Sequence, residues 1–333
     1  MRHSRIAGLG FHVPDRVVTN DDLSQWMDTS DEWIRKRTGI AERRWVEGDV
    51  GASELAVPAA ERALAEAGLQ ASDLDMIVFA TLSPDINFPG SSCLLQKHLG
   101  VPGIATLDIR NQCTGFVYGL AVADQFIRTG LMSRVLVVGG EVHSSGLDRS
   151  TRGRDVTVLF GDGAGAAVLT PADDPDQGRV ILDHKLHADG SHSDILMLPA
   201  PASSKSPRLT VEMMEQGLHY PQMNGRAVFK HAVARFPQVI REILSDNGLT
   251  PEDIGLLVPH QANLRISEMV ARSLSLRPDQ VHNNIMRYGN TTAASIPIAL
   301  TEAVAEDKVS PGEYVVLAAF GAGLTWGANL IRW

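Results

Sequence analysis

The feature that most constrains the fold is an internal repeat. Residues 68–79 read GLQASDLDMIVF and residues 248–259 read GLTPEDIGLLVP, the same helix end, turn and apolar strand at an offset of 180. The same offset aligns RVLVV at 134–138 with YVVLA at 314–318. Two matches at one offset point to a duplicated α/β unit. The seam is expected within 172–178, giving an N-terminal half over 1–172 and a C-terminal half over 173–333. Duplication also accounts for a length of 333 residues, about twice that of a common single domain.

Within each half, the short apolar runs 76–80, 135–138, 256–258 and 314–319 read as strands buried on both faces. Residues 53–67 read as a helix closing at Gly68. The spacing of Phe229, Val233, Phe236, Ile240 and Ile243 predicts another helix, kinked at Pro237. The irregular stretch 199–223 reads as a long connection or lid. Thirty basic against 39 acidic side chains leave a net charge of −9, which argues against bulk binding of nucleic acid or of an anionic membrane. The most apolar run, 315–331, is interrupted by Gly321, Gly323 and Gly327 and is too short to span a bilayer. Only two cysteines are present, too few for a disulfide framework, so a reducing, cytoplasmic setting is expected.

Of those two thiols, Cys113 is the candidate reactive group. It lies between a strand over 104–109 and a segment whose Phe116, Leu120 and Ile127 keep helical spacing. The first turn of a helix offers free N–H groups and the positive end of the dipole, so a lowered thiol pKa is expected, with Gly115 allowing a tight turn. Cys93 carries no such signal and reads as core. His260 follows the strand at 256–258, at the edge where α/β proteins bind ligands, and Asn290 precedes another helix. Singly, each has an ordinary reading, packing for the histidine and an N-cap for the asparagine. The 180 offset carries Cys113 to about 293, beside Asn290, and His260 back to about 80, so a pseudo-twofold axis would gather all three in one pocket.

Other patterns carry less. Gly161-Asp162-Gly163-Ala164-Gly165-Ala166 satisfies a loose dinucleotide fingerprint, but residues 156–160 and 166–169 both read as strands, and a strand-to-strand turn is not a Rossmann loop. His187, Asp189, His192 and Asp194 sit among glycine and serine and read as a solvated turn rather than a metal site. Basic residues cluster at Arg35, Lys36, Arg37, Arg43 and Arg44 beside Trp33, and again at Arg149, Arg152 and Arg154. On an acidic chain these suit a phosphorylated or acidic partner.

Taken together, the motifs DTSDEWI (28–34) with RTG (37–39), the Cys113 elbow, FGDGAGAA (160–167), HQANLR (260–265), GNT (289–291) and FGAGLTWG (320–327) resemble β-ketoacyl-[acyl-carrier-protein] synthase III, a thiolase-superfamily condensing enzyme. The resemblance runs from the first strand to Trp333. It implies a thiolase-like, five-layered α-β-α-β-α fold, a homodimer, and ping-pong condensation of an acyl-CoA with a malonyl-acyl carrier protein, without metal or other cofactor. By the same resemblance Cys113 is the acyl-accepting nucleophile, with His260 and Asn290 as partners and the N–H groups of Cys113 and Ala322 as oxyanion hole. Trp33, Arg37, Arg152 and Asn263 are implied as coenzyme A contacts, and Lys230, Gln261 and Arg265 as carrier-protein docking residues. Phe88 is implied to line the acyl pocket, favouring acetyl-CoA or another short primer. Two departures bear on the primer: the bulky, polar Arg110-Asn111-Gln112 before the nucleophile, and extra length over 212–222. The alternatives are condensation or acyl transfer in a secondary, polyketide-type pathway, and a non-catalytic partner subunit.

Overall fold

Strands that alternate two apolar faces need cover on both sides, and the chain supplies it in five layers. The computed structural model describes residues 3–174 and 176–333. Its main strands are β1 (His3–His12), β2 (Met76–Ala80), β3 (Ala105–Ile109), β4 (Val135–Glu141), β5 (Gly163–Ala172), β6 (Val180–Ala188), β7 (Ile254–Pro259), β8 (Tyr314–Gly321) and β9 (Thr325–Arg332). The helices that cover them are α1 (Asp31–Thr38), α2 (Ala52–Ala67), α3 (Ser91–His98), α4 (Gly115–Arg128), α5 (Gly225–Asp246), α6 (Leu264–Ser273) and α7 (Ser295–Ala305).

The strand order is β7-β8-β9-β6-β1-β5-β4-β2-β3. Read outward from the β1–β6 junction, both halves repeat one pattern: two antiparallel steps, then a parallel one. The register repeats as well. Met76 faces Val135 and Val78 faces Val137, while Leu256 faces Val315 and Val258 faces Leu317, every partner displaced by the 180 residues seen in the sequence. An isolated parallel bridge from Leu257 to Val281 stands where β3 lies in the first half.

Side-chain alternation then assigns the layers. Val78, Val137, Val258 and Leu317 point to a central layer formed by α4 and α7, where Phe116, Leu120, Ile296 and Leu300 are buried. Ile77, Phe79, Leu136 and Val138 point outward to α2 and α3. Leu257, Val316 and Ala318 point outward to α5 and α6. The thiolase-like five-layered arrangement is therefore present.

Three local expectations are corrected. Residues 156–160 are not a strand: a short helix, Arg154–Thr157, precedes a single bridge at Phe160, because these side chains pack under α1 rather than into the sheet. The helix expected around Pro237 is α5, which runs through that proline for 22 residues. Cys93 is exposed, on the outer side of α3. The stretch 199–223 is partly ordered by a short helix, Val211–Glu215, and by pairing of Gln222–Met223 with Leu196–Met197. No helix among the described residues is long and apolar enough to cross a membrane.

Candidate active site

Both halves reach the site through the same strained turn. A 3-10 turn over Gln112–Thr114 leads into α4, and its counterpart Thr292–Ala294 leads into α7. Gln112 has φ 44° and Thr292 φ 50°, left-handed values on non-glycine residues at matching positions of the repeat. Such strain concentrates at functional turns. It also relocates the tight bend from the expected Gly115, which is helical at φ −54°. Gly115 is needed for close packing instead, since a Cβ there would lie 2.8 Å from the Ala80 Cβ and 3.4 Å from the Ala293 Cβ.

Cys113, His260 and Asn290 line one cavity of about 610 Å³. Cys113 is buried, and the backbone N–H groups of Ala322 and of Cys113 itself favour its thiolate. Burial, reinforced by the nearby Glu141 carboxylate, nevertheless pushes the thiol up to about 12, against the lowering expected from the helix terminus. Desolvation outweighs the dipole at this depth. A Cβ on Gly321 would lie 2.5 Å from the Cys113 Cβ and 2.7 Å from its sulfur, so only glycine leaves that face of the nucleophile open.

His260 is held by its backbone N–H, which donates to the Ala318 carbonyl, and by its ring, whose Nδ1 lies 2.7 Å from the Ser295 hydroxyl. Ser295 Oγ accepts the Gln261 N–H at 3.3 Å and has one hydrogen to give; given to Nδ1, that hydrogen leaves the ring proton on Nε2. Nε2 is buried without a partner. Burial depresses the His260 pKa to about 3, so the ring is a neutral donor. Asn290 is pinned on both sides: its N–H donates to Leu159, its carbonyl accepts from Gly161, and its Oδ1 accepts the Thr292 N–H at 2.9 Å. The side-chain NH2 is thus the group it can offer.

A second cavity of about 330 Å³ opens beyond Cys113, lined in part by Leu82, Gln112, His143, Phe160 and Leu198. Behind it sits Glu141, fully buried at the end of β4. It accepts from the hydroxyls of Thr81 and Ser83 and the N–H groups of Leu82 and Ser83, and burial raises its pKa to about 7. Phe88, expected here, lies outside both cavities and is 83% exposed.

The first cavity opens toward Trp33, Arg37, Asn263 and Arg265. The guanidinium groups of Arg37 and Arg154 lie 4.1 and 4.6 Å from the Trp33 ring centre. Asn263 caps α6 and donates to the Arg37 carbonyl at 3.0 Å, tying α6 to α1. Arg152 is not brought to the cavity: Asp148 holds it at 2.6 Å, and it donates to the Glu215 carbonyl. Gln261 is not a docking residue, because it is buried with its amide donating to Pro259 and accepting from the N–H groups of Asn284 and Ile285. Lys230 and Arg265 are both exposed. Ser295, Glu141, His143 and the Trp33 contact of Arg154 escaped the sequence reading. Only Glu141 left a trace there, as an acid closing a wholly apolar strand.

Comparison with known proteins agrees with this geometry. Residues 107–190 match the 3-oxoacyl-[acyl-carrier-protein (ACP)] synthase III family, and residues 244–333 match the C-terminal region of the same family. The chain is 45% identical over 328 residues to a β-ketoacyl-[acyl-carrier-protein] synthase III of Caldanaerobacter subterraneus, covering 98% of this chain and 97% of that one. Its fold matches crystal structures of 3-oxoacyl-[acyl-carrier-protein] synthase III from Aquifex aeolicus (TM-score 0.90, 42% identity, 99% and 100% of the two chains) and from Pseudomonas aeruginosa (TM-score 0.90, 40% identity, 100% and 98%). With a buried cysteine, a neutral histidine and an asparagine amide around one cavity of a duplicated thiolase-like fold, the chain belongs to the 3-oxoacyl-[acyl-carrier-protein] synthase III family of condensing acyltransferases.

Proposed function

We propose that this chain condenses an acyl-CoA primer with a malonyl-carrier protein through an acyl-Cys113 intermediate, starting fatty-acid synthesis. The observation that carries the reading is a convergence: Cys113, His260 with its unpartnered Nε2, and Asn290 line the same cavity. In the first step Cys113 sulfur attacks the thioester carbonyl, the C–S bond to coenzyme A breaks, and the thiol proton passes in balance to the departing thiolate. In the second, the malonyl carboxylate leaves as carbon dioxide. The resulting enolate oxygen takes hydrogen bonds from His260 Nε2–H and the Asn290 NH2, neutral donors contributing about 3 kcal/mol each. The enolate carbon attacks the acyl-Cys carbonyl, whose oxyanion is held by the N–H groups of Cys113 and Ala322. Collapse expels the Cys113 thiolate, which is then reprotonated.

In this reading the half over 1–172 supplies the nucleophile and the half over 173–333 the decarboxylation donors. Trp33, Arg37 and Asn263, with Arg154 stacked on the Trp33 ring, receive the coenzyme A, and Arg265 and Lys230 offer an acidic carrier a local basic face on a chain of net charge −9. A homodimer is part of the proposal, supported by the end strand β3 and by exposed Ile86 and Phe88, which are available to a second copy. The two free cysteines suit a reducing cytoplasm. The test is intact-protein mass after exposure to acyl-CoAs, followed by condensation with malonyl-carrier protein. Cys113→Ser is expected to abolish the adduct, and His260→Ala to keep the adduct while losing decarboxylation; condensation retained by Cys113→Ser would sink the proposal.

A further inference from the structure

We propose that the acyl pocket beside Cys113 selects a primer whose chain carries an oxygen function, a hydroxyl, oxo or terminal carboxylate group, over a bare hydrocarbon chain. The inference rests on the condensing role above and concerns the second cavity, whose Leu82, Phe160, Leu196 and Leu198 walls would by themselves suit any aliphatic chain.

Polar side chains interrupt those walls. His143 is only 6% exposed, and its ring lies against Phe160 at 4.6 Å. Its Nε2 is 2.7 Å from the Thr292 hydroxyl, and its Nδ1 has no hydrogen-bond partner among the described residues. Whichever way the Thr292 hydroxyl turns, the His143–Thr292 pair keeps a donor to spare. With Thr292 O–H given to Nε2, the spare donor is Nδ1–H; with Nε2–H given to Thr292, it is the hydroxyl. Burial depresses the His143 pKa to about 3, so it presents a neutral imidazole and not a charge. Gln112, on the strained turn before the nucleophile, lines the same cavity with no side-chain hydrogen bond among the described residues. Arg110 stands at its exposed edge without an acidic partner among them, and no aspartate or glutamate lines the space.

The dimensions agree. At about 30 Å³ per water-sized group, 330 Å³ holds about ten such groups, more than an acetyl group fills. A bare chain would leave the His143–Thr292 donor desolvated and unpaired, the situation that makes hydrogen-bonding pockets reject analogues lacking the matching oxygen.

The test compares Cys113 acylation by matched thioesters, butyryl-CoA against 3-hydroxybutyryl-CoA and acetoacetyl-CoA, and hexanoyl-CoA against its six-carbon ω-carboxyl analogue. At least one oxygenated thioester is expected to exceed its bare counterpart by about tenfold or more in kcat/KM. His143→Leu should bring that ratio toward one, His143→Gln should preserve it in part, and Arg110→Gln should weaken the carboxylate arm alone. Bare chains matching or outpacing every oxygenated partner in the unmodified protein would overturn the inference, as would an unchanged ratio in His143→Leu. Acylation by butyryl-CoA at Cys113 keeps the condensing role intact even when selectivity fails; absence of any adduct removes both.

Discussion

Replacing Ser295 with alanine isolates the device that sets the protonation of His260. With its hydrogen given to Nδ1, the Ser295 hydroxyl, 2.7 Å from that nitrogen and accepting the Gln261 N–H, leaves the ring proton on Nε2, where it can meet the enolate oxygen. Without it, Nδ1 is a buried acceptor with no donor, which costs about 1–3 kcal/mol and removes the bias toward the productive tautomer. If that cost falls on the transition state of decarboxylation, the rate drops about 5- to 150-fold at 1.4 kcal/mol per decade. Acylation of Cys113 uses the backbone N–H groups of Cys113 and Ala322 instead and should stay close to the unmodified rate. Release of labelled carbon dioxide from malonyl-carrier protein measures one step, and burst formation of the acyl adduct the other. Equal losses in both steps, or none in decarboxylation, would refute the tautomer argument.

Two further predictions concern pH. His260 and His143, with folded pKa values near 3 against an ordinary 6.5, bind fewer protons folded than unfolded, so stability falls as pH drops below about 6.5. Glu141, raised to about 7, acts oppositely between roughly pH 4.5 and 7 and cancels about one imidazole. In urea melts at pH 5 and 6, His143→Leu should therefore flatten the dependence by about 1 kcal/mol per pH unit relative to the unmodified protein; identical slopes would contradict it. For Cys113, a thiol pushed up to about 12 predicts that alkylation by iodoacetamide climbs through pH 7–10 without levelling off, and a plateau below pH 8 would show the helix terminus prevailing over burial.

Much of the scaffold was legible because periodicity records burial. The 180 offset survives as the register of Leu256 with Val315 against Met76 with Val135, and the apolar runs mark strands covered on both faces. Cys113, His260 and Asn290 were legible because each ends a strand or opens a helix on the same side of the repeat. What sequence order does not reveal is where a side chain turns. Gln261 sits beside His260 in the chain yet folds inward to brace Pro259, Asn284 and Ile285, and Arg152 is claimed by Asp148. Cys93 failed for the converse reason, an apolar type on a surface position. Ser295, Glu141 and His143 act through partners 35, 60 and 149 residues away, distances no local motif spans.

The twin elbows suggest how one ancestral unit came to serve two chemical offices. At Gln112 the left-handed turn presents a sulfur; at Thr292 the same turn has an inert Ala293 in the sulfur's place and spends its free N–H fixing the amide of Asn290. A substitution survey should consequently trace a twofold pattern of intolerance about the central helices, although the reaction it protects has no symmetry at all.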